Sequence, residues 1–318
     1  KKYIKRCAKS LDPVLFICTA LLSTIGIITI LGQIDSLQSG KRMLIMQIAM
    51  TVAGVILTMM IASIDYHQIV DKLWMIMLVA SVGLLLVTLV FGNTGADRET
   101  TNRSWLTIPI VGIAIQPSEF VKIALILYLS SSITKNKKYI ATFSRGIVPN
   151  LIVIGIISLL LIVQPHFSAT VLIVSVGIIM LFVGGVNWKH LAAIGVPVAS
   201  LGALLILTSD YRRARVFSFA NPFLDPLGDG YQVVQSLYAI GSGGLFGLGL
   251  GQSRQKFLYI PEPQNDFIFT IICEELGFIG AVAVIVLFGL LLWRGYRIAS
   301  RAPDKFTSLV AYGLTTKI

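Results

Sequence analysis

Long runs of apolar residues alternate along the chain with short polar segments. Eight of these runs are nearly free of charge and approach the length of about 20 residues that a membrane-spanning helix needs. They lie at about 14–34, 43–64, 73–92, 119–134, 147–165, 167–186, 191–209 and 267–293. A ninth run begins near Phe306 and continues to Ile318. The pattern predicts an all-α polytopic membrane protein, because the strands of a β-barrel would instead alternate polar and apolar positions.

The composition agrees with lipid as the surroundings of these helices. Of the 318 residues, 55% are hydrophobic and only 13% are charged, and the mean hydropathy is +0.83. Soluble domains carry about 25% charged residues. The three cysteines form no Cys-x-x-Cys pair, and the three histidines are far apart, so the sequence predicts neither a disulfide framework nor a zinc site. The glycine-rich segment 241–251 does not match the dinucleotide-binding pattern and follows no predicted strand.

Positive charge is concentrated in alternate loops. Segments 1–9, 134–145 and 293–305 hold five, four and four lysines or arginines. The positive-inside rule places these segments, and with them the N-terminus, in the cytoplasm. The net charge of +11 is therefore interpreted as a topology signal and not as a nucleic-acid surface. Most acidic residues fall in the opposite loops, so any chemistry is expected on the outer face.

The outer loop at 210–266 is too long for an ordinary connection between helices. It contains apolar stretches that would be poorly soluble if they were disordered. We expect the loop to re-enter the membrane or to lie along its surface, where other parts of the protein shield its backbone. The sequence is interpreted as one membrane domain, 1–318, with this loop inside it.

The first polar constellation stands at the start of the fourth apolar run. Pro117 followed by Ser118 is typical of a helix start, and Ser118 could be the N-cap. Glu119 and Lys122 are three residues apart and share one helical face. Two interpretations stay open: a structural ion pair that closes the helix end, or a polar wall of an outward-facing cavity.

A second constellation follows the seventh run, on the outer side. Arg212, Arg213 and Arg215 stand where the positive-inside rule disfavours positive charge, so a topology role is improbable. Arginines suit bidentate binding of phosphate, but these three could equally pair with the nearby acidic residues.

The third constellation precedes the eighth run. Two prolines in "YIPEPQNDF" block a helix there, so the helix is predicted to begin after them with Asn265 or Asp266 as its N-cap. A continuous helix from Asp266 to Trp293 would be about 42 Å long, which exceeds the hydrocarbon core of about 30 Å. Either the helix tilts, or its first turns stand in the outer interface with Asp266 exposed to a cavity.

Further carboxylates lie in the same stretch. On an ideal helix Glu274 is about 80° round from Asp266, whereas Glu275 is nearly opposite to it. Glu274 is therefore predicted to share the cavity with Asp266. Glu275 is expected to pair elsewhere, and Glu262 is left without a role.

These motifs resemble the SEDS family of RodA, FtsW and SpoVE proteins. The resemblance rests on "NRSW…QPSEFVK" and on "DGYQVVQSLYAIGSGGLFGLGLGQSRQKFLYIPEPQNDFIF…EELGF", and it extends through essentially the whole chain. The form of the second motif looks more like the FtsW/SpoVE branch than RodA. The resemblance implies ten transmembrane helices and a peptidoglycan glycosyltransferase that polymerises lipid II, the undecaprenyl-diphosphate-linked disaccharide pentapeptide. It also implies a class B penicillin-binding protein as partner.

The resemblance also assigns candidate site residues. The essential aspartate of the family falls on Asp266, which we expect to be the catalytic base. Some of the expected substrate-binding residues match helix and loop positions of the family, and the others are nearby basic residues and the second carboxylate. They are Arg103, Trp105, Glu119, Lys122, Arg212, Arg213, Arg215, Lys256 and Glu274. The four cations of the outer loop would contact the diphosphate. A divalent cation, Mg²⁺ or Mn²⁺, could add to this stabilisation, and no metal ligands are assigned.

Two departures from the family pattern bear on these expectations. His166 stands where the family often has an acid, so a role of that acid is in doubt here. The sequence ends at Ile318, before the family's last motif, so a partial ninth helix is expected and the tenth is not represented.

Two other functions compete with polymerisation. A lipid II transporter would be expected to show repeat symmetry and ionisable residues near the bilayer midplane. Neither is evident in the sequence. A scaffold that only docks division proteins would leave the outer carboxylates without a purpose.

Overall fold

The computed structural model describes residues 12–34, 40–62, 66–92, 104–108, 113–140, 142–255 and 266–318. Within these ranges, only the backbone is described for residues 66–73, 107, 108, 113, 211, 212 and 215. The candidate residues Arg103, Lys256 and Glu262 lie outside the described residues.

The described part of the chain is almost entirely helical. Its α-helices are α1 Pro13–Gly32, α2 Gly40–Ala62, α3 Tyr66–Phe91, α4 Pro117–Lys135, α5 Val148–Val163, α6 Phe167–Gly184, α7 Trp188–Leu207, α8 Asp210–Ala220, α9 Tyr231–Ser242, α10 Ile268–Ser300 and α11 Lys305–Lys317. A π-helical turn, Phe143–Ile147, leads into α5, and a 3₁₀ turn, Pro222–Leu224, follows α8. Strands β1 Leu106–Ile108 and β2 Ile113–Ile115 pair antiparallel, with Leu106 opposite Ile115.

Seven helical segments among the described residues are long and apolar enough to cross a membrane. They are α1, α2, Trp74–Phe91 of α3, Phe143–Val163, α6, α7 and α10. The prediction of an all-α polytopic membrane protein is confirmed. The fourth predicted span, 119–134, is the 19-residue helix α4, which is long enough but carries Glu119, Lys122 and several serines. Most residues of α4 are buried, so protein and not lipid surrounds it.

The described chain forms two compact units. Unit A comprises the described residues of 1–64 and 197–291, and unit B those of 65–196 and 292–318. The interpretation of the sequence as a single membrane domain stays a prediction.

Helix α4 is the centre of unit B. Leu125, Leu129 and Ile133 on α4 are fully buried in one apolar cluster that also includes side chains of α3, α5, α6 and α11. Helix α11 can approach closely because Gly313 has no side chain: a Cβ there would overlap Ile126 of α4 and Met180 of α6. The core therefore joins helices that are far apart in sequence.

A buried hydrogen bond joins the end of α5 to α3, two of the helices in the apolar cluster around α4. The side-chain amide of Gln164, which follows α5 and is 2% exposed, donates to the carbonyl of Leu85 in α3 at 2.7 Å. A buried amide is expensive unless its hydrogen bonds are made, so this contact specifies how α5 meets α3.

Unit A contains two deviations from a simple helix-and-loop pattern. The predicted outer loop 210–266 is folded in its described part, where α8, the 3₁₀ turn and α9 follow one another. The second deviation is in α10. The prediction of a continuous helix from Asp266 to Trp293 is wrong, because the helix is interrupted at Gly277, whose φ is 67° and ψ is −165°. Such backbone angles are accessible to glycine and strained for other residues.

Candidate functional site

Asp266 lies at the entrance of α10. The helix begins at Ile268, and the carbonyl of Phe267 accepts its first hydrogen bonds from the backbone N–H groups of Thr270 and Ile271, at 3.0 and 3.3 Å. The helix therefore starts one residue later than a cap at Asp266 would require; the other predicted cap, Asn265, lies outside the described residues. Asp266 is exposed in the turn before the helix. Its carboxylate is therefore available to a group that approaches from solvent.

The second group of polar residues stands at the start of α4 in unit B. The helix begins at Pro117, and the residue that precedes it is Gln116, whose carbonyl accepts from the N–H of Glu119 at 3.1 Å. The prediction of Ser118 as N-cap is wrong, because Ser118 is already inside the helix. Its hydroxyl is buried and has no hydrogen-bond partner among the described residues.

The predicted pair of Glu119 and Lys122 is present, and it has a third member. Lys122 Nζ donates to Glu119 Oε1 at 2.5 Å, and Lys317 Nζ of α11 lies 3.0 Å from Glu119 Oε2. The Lys122 side chain is 8% exposed, whereas those of Glu119 and Lys317 are 44% and 24% exposed. Each carboxylate oxygen therefore has its own cation, and the group carries one net positive charge.

This arrangement bears on the two interpretations of the sequence. A buried ammonium ion needs a carboxylate partner, because removal of water from an unpaired charge costs several kcal/mol. Glu119 therefore stabilises Lys122, as a structural ion pair would. Glu119 is also nearly half exposed, so the same group presents a polar, positively charged surface at the end of α4.

Loss of Lys317 is expected to destabilise unit B less than loss of Glu119. Lys317→Gln leaves the Glu119–Lys122 pair intact and removes a partly exposed contact, worth about 1 kcal/mol or less. Glu119→Gln leaves the buried Lys122 without a carboxylate and should cost about 2 kcal/mol or more. Thermal unfolding in detergent micelles measures both. A Lys317→Gln variant that unfolds at a lower temperature than Glu119→Gln would contradict this order.

His166 belongs to the same neighbourhood. It precedes α6, and its ring Nε2 lies 3.3 Å from the side-chain amide nitrogen of Gln116, which can donate to a neutral ring. Burial and the charge of Lys122 lower the pKa of His166, and Glu119 opposes these effects only in part. A neutral imidazole therefore stands where the resemblance would place a second carboxylate, and it adds no counter-charge to the Lys122–Glu119–Lys317 group.

The lowered pKa of His166 predicts a pH dependence of stability. The unfolded chain binds a proton at this residue near pH 6.5, whereas the folded chain does so only at lower pH. Stability is therefore expected to fall as the pH is lowered from about 6.5, and His166→Gln should remove that part of the dependence. Thermal unfolding between pH 7.5 and about 5 tests this, with His190→Gln as the matched control. Parallel curves for wild type and His166→Gln would contradict the assignment.

The other predicted binding residues are placed less fully. Trp105 is half-buried beside the buried Ser104, immediately before β1, and β2 leads through Gln116 into α4. Arg213 on α8 is exposed and pairs with Asp210 at 2.7 Å, which agrees with the alternative that these arginines pair with acidic neighbours. For Arg212 and Arg215 the structure describes only the backbone, within α8.

Glu274 does not line an open cavity. It is 1% exposed, and its carboxylate accepts hydrogen bonds from the Ser253 hydroxyl at 2.5 Å and the Arg254 N–H at 2.9 Å. Direct contact with substrate, as predicted for this residue, is therefore corrected to an internal contact. The helical-wheel argument failed because it considered only the helix of Glu274 and not the segment that packs against it.

A metal was expected only as an addition to the site. Across the described residues, no group of three or more His, Cys, Asp or Glu side chains is placed to hold a metal ion.

Comparison with known proteins shows the family. The family model of FtsW, RodA and SpoVE, described as "Cell cycle protein", matches residues 11–318. Stage V sporulation protein E of Bacillus subtilis is 42% identical over 316 residues, which cover 96% of this chain and 84% of that protein. The probable peptidoglycan glycosyltransferase FtsW of Trichlorobacter lovleyi is 35% identical over 308 residues, covering 95% of this chain and 80% of that protein.

Solved structures share the fold. A chain described under "Structural coordination of polymerization and crosslinking by a peptidoglycan synthase complex" superposes with a TM-score of 0.75 at 25% identity, covering 96% of this chain and 83% of that one. The rod shape determining protein RodA of Thermus thermophilus superposes with a TM-score of 0.66 at 22% identity, covering 96% and 81%, a likeness of fold alone. The chain therefore belongs to the FtsW/RodA/SpoVE family, as its motifs predicted.

Proposed function

We propose that this protein is a peptidoglycan glycosyltransferase that polymerises lipid II into glycan strands. The observation that carries the proposal is the exposed Asp266 at the entrance of an apolar helix, in a chain similar over nearly its whole length to proteins named peptidoglycan glycosyltransferases. An exposed carboxylate at the membrane boundary suits a reaction between a lipid-linked donor and a sugar acceptor.

The proposed reaction needs one base and one charge-neutralising surface. The acceptor hydroxyl attacks the anomeric carbon of the donor, a C–O bond forms with inversion, and the lipid diphosphate leaves with the bonding electron pair. Asp266 takes the hydroxyl proton, for which a carboxylate must stand within about 3 Å of that hydroxyl. Glycoside hydrolysis also needs a carboxylic acid to protonate its leaving group. A diphosphate is already a good leaving group once cations balance its charge, so one carboxylate suffices.

The basic residues are the proposed contacts of the substrate. Arg212, Arg213, Arg215 and Lys256 would neutralise the diphosphate, because arginine presents paired donors to phosphate oxygens. Arg213 would have to exchange its exposed pairing with Asp210 for the phosphate. The cationic group of Lys122, Glu119 and Lys317, together with Arg103 and Trp105, is proposed as the further surface that orients the substrate.

The proposal includes a side of the membrane and a partner. The basic loops support a cytoplasmic N-terminus and an active site on the outer face of the plasma membrane. A class B penicillin-binding protein is proposed as the transpeptidase partner. The similarity to a chain from a complex described as coordinating polymerization and crosslinking supports this partner.

The alternative function is transport of lipid II across the membrane. One observation favours it: α4 is a buried helix with charged residues, and such helices are common in transporters. The charges, however, stand at the end of α4 and not near its middle, which favours chemistry at a membrane surface.

Purified full-length protein in liposomes distinguishes the two functions. It would be reconstituted with its transpeptidase partner and supplied with lipid II that carries a fluorescent label. We expect glycan polymers on gel electrophoresis. Movement of labelled lipid II between the leaflets without any polymer would favour transport and overturn the proposal.

A further inference from the structure

The interruption of α10 is closed by the glycine-rich segment 243–249. A helix break leaves carbonyl groups without partners on one side and N–H groups without partners on the other. The Glu274 and Glu275 carbonyls accept from the N–H groups of Leu248 and Gly249 at 2.9 and 3.1 Å. The N–H groups of Phe278 and Ile279, beyond the break, donate to the carbonyls of residues 244 and 245 at 2.9 and 3.3 Å.

Glycine is required where the two backbones meet. A Cβ on Gly243 would overlap the Cys273 carbonyl oxygen, and a Cβ on Gly247 would overlap that of Glu275. Gly247 also has a φ of 80°, in the left-handed region. The glycine-rich motif therefore has a structural purpose that its sequence pattern did not reveal: it replaces the missing helical hydrogen bonds of α10.

The same segment continues into a contact between side chains, which we call the carboxylate clasp: Ser253, Arg254, Glu274 and Glu275. Glu274 Oε2 accepts from the Ser253 hydroxyl at 2.5 Å and its Oε1 from the Arg254 N–H at 2.9 Å. Glu275 Oε1 lies 3.4 Å from the Ser253 N–H. The three side chains of Ser253, Glu274 and Glu275 are only 1–2% exposed.

Burial of two carboxylates at one serine is costly, since each loses its hydration. Apolar side chains could hold two segments together at less cost. The clasp is directional, however, because each oxygen of Glu274 accepts from a different donor at a defined angle. Hydrogen bonds of this kind hold the two segments in one relative position, whereas apolar packing would allow them to shift.

We propose that Glu274, with Ser253, positions the catalytic base Asp266. The inference rests on the proposed function and deepens it. Asp266 stands between the two halves of the clasp in sequence, twelve residues after Arg254 and eight before Glu274. The clasp joins Ser253 and Arg254, which precede Asp266, to α10, which follows it. Loss of the clasp removes these hydrogen bonds and leaves the helix that Asp266 enters with fewer contacts to hold it in place.

Small displacements of a base are expensive in rate. A misplacement of about 1 Å can cost about 10²-fold, even when its cause lies away from the reacting atoms. Glu274 touches no substrate in this proposal, so it is a positioning residue. Glu275 contributes less, because its one hydrogen bond to Ser253 is longer.

The test compares Glu274→Gln and Ser253→Ala with Ser242→Ala in lipid II polymerisation by the full-length protein with its partner. Ser242 is the matched control, because among the described residues its hydroxyl bonds within α9, to the Ala239 carbonyl. We expect kcat to fall about 10- to 100-fold in both clasp variants, with KM changed less than about 3-fold and Ser242→Ala unaffected. Glu275→Gln should show a smaller loss.

Hydrogen exchange separates this inference from the function on which it rests. Peptides that cover 248–255 should exchange faster in both clasp variants than in wild type, while peptides of α4 stay unchanged. If wild type makes no polymer but exchange responds in this way, the proposed function fails and the clasp itself stands. Unchanged kcat in both variants, or a loss of kcat that only follows the loss of folded protein, would overturn the positioning role.

Discussion

Asp266→Asn is expected to abolish lipid II polymerisation, with a fall in kcat of about 10²–10⁴-fold. Asparagine has nearly the same size as aspartate but cannot accept a proton at neutral pH. Asp266 is exposed, and α10 begins beyond it at Ile268, so the substitution should leave the fold intact. The initial rate of polymer formation by purified protein with its partner measures the effect.

The matched control is Asp229→Asn, an exposed carboxylate in the same predicted outer loop. It should retain polymerisation at close to the wild-type rate. Equal thermal midpoints of wild type and both variants would show that any loss is chemical. Undiminished polymerisation by Asp266→Asn would contradict the assignment of Asp266 as the base. An equal loss in both variants would indicate that polymerisation depends on the total charge of the loop and not on Asp266 in particular.

Gly277→Ala is expected to have the largest effect on folding. The residue adopts a φ of 67° and ψ of −165°, where an L-residue is strained by about 1–3 kcal/mol. A Cβ there would also overlap the backbone N of Gly247 and the carbonyl of Leu245, and forced displacement in a packed region costs typically about 1–3 kcal/mol more. We therefore expect a destabilisation of about 3 kcal/mol or more, enough to prevent accumulation of folded protein in the membrane.

Gly289→Ala on the same helix is the control. A Cβ at Gly289 would meet no other group within 4 Å, and alanine is a better helix former than glycine by about 1 kcal/mol. Fluorescence-detected size exclusion after heating compares the two variants. Equal thermal midpoints for Gly277→Ala and Gly289→Ala would show that the interruption of α10 does not constrain the fold.

The sequence pattern was sufficient to predict features that depend on residues close together in the chain. The apolar runs predicted the helices because a backbone in lipid must satisfy its hydrogen bonds within each segment. The spacing of Glu119 and Lys122 predicted their ion pair because residues three apart share a helical face. The motif around Asp266 predicted the family, and Pro261 and Pro263 predicted that the eighth helix begins only after them.

Other features depend on which distant segments meet. Lys317 joins Glu119 because α11 packs against α4, and no local pattern connects residues so far apart. The uncharged state favoured for His166 follows from burial and from Lys122, which stands on another helix. The break at Gly277 was missed because glycine is also common inside membrane helices, and only the approach of segment 243–249 requires the unusual angles.

Periodicity and motif by themselves determined that the chain is a helical membrane protein of this family with a carboxylate at a helix entrance. The tertiary structure decided which carboxylates are open and which are internal. Asp266 stays exposed, whereas Glu274 is enclosed by Ser253 and Arg254. The physical reason is that burial and hydrogen-bond partners depend on two segments that pack against each other. The sequence of one segment does not show which other segment it will contact.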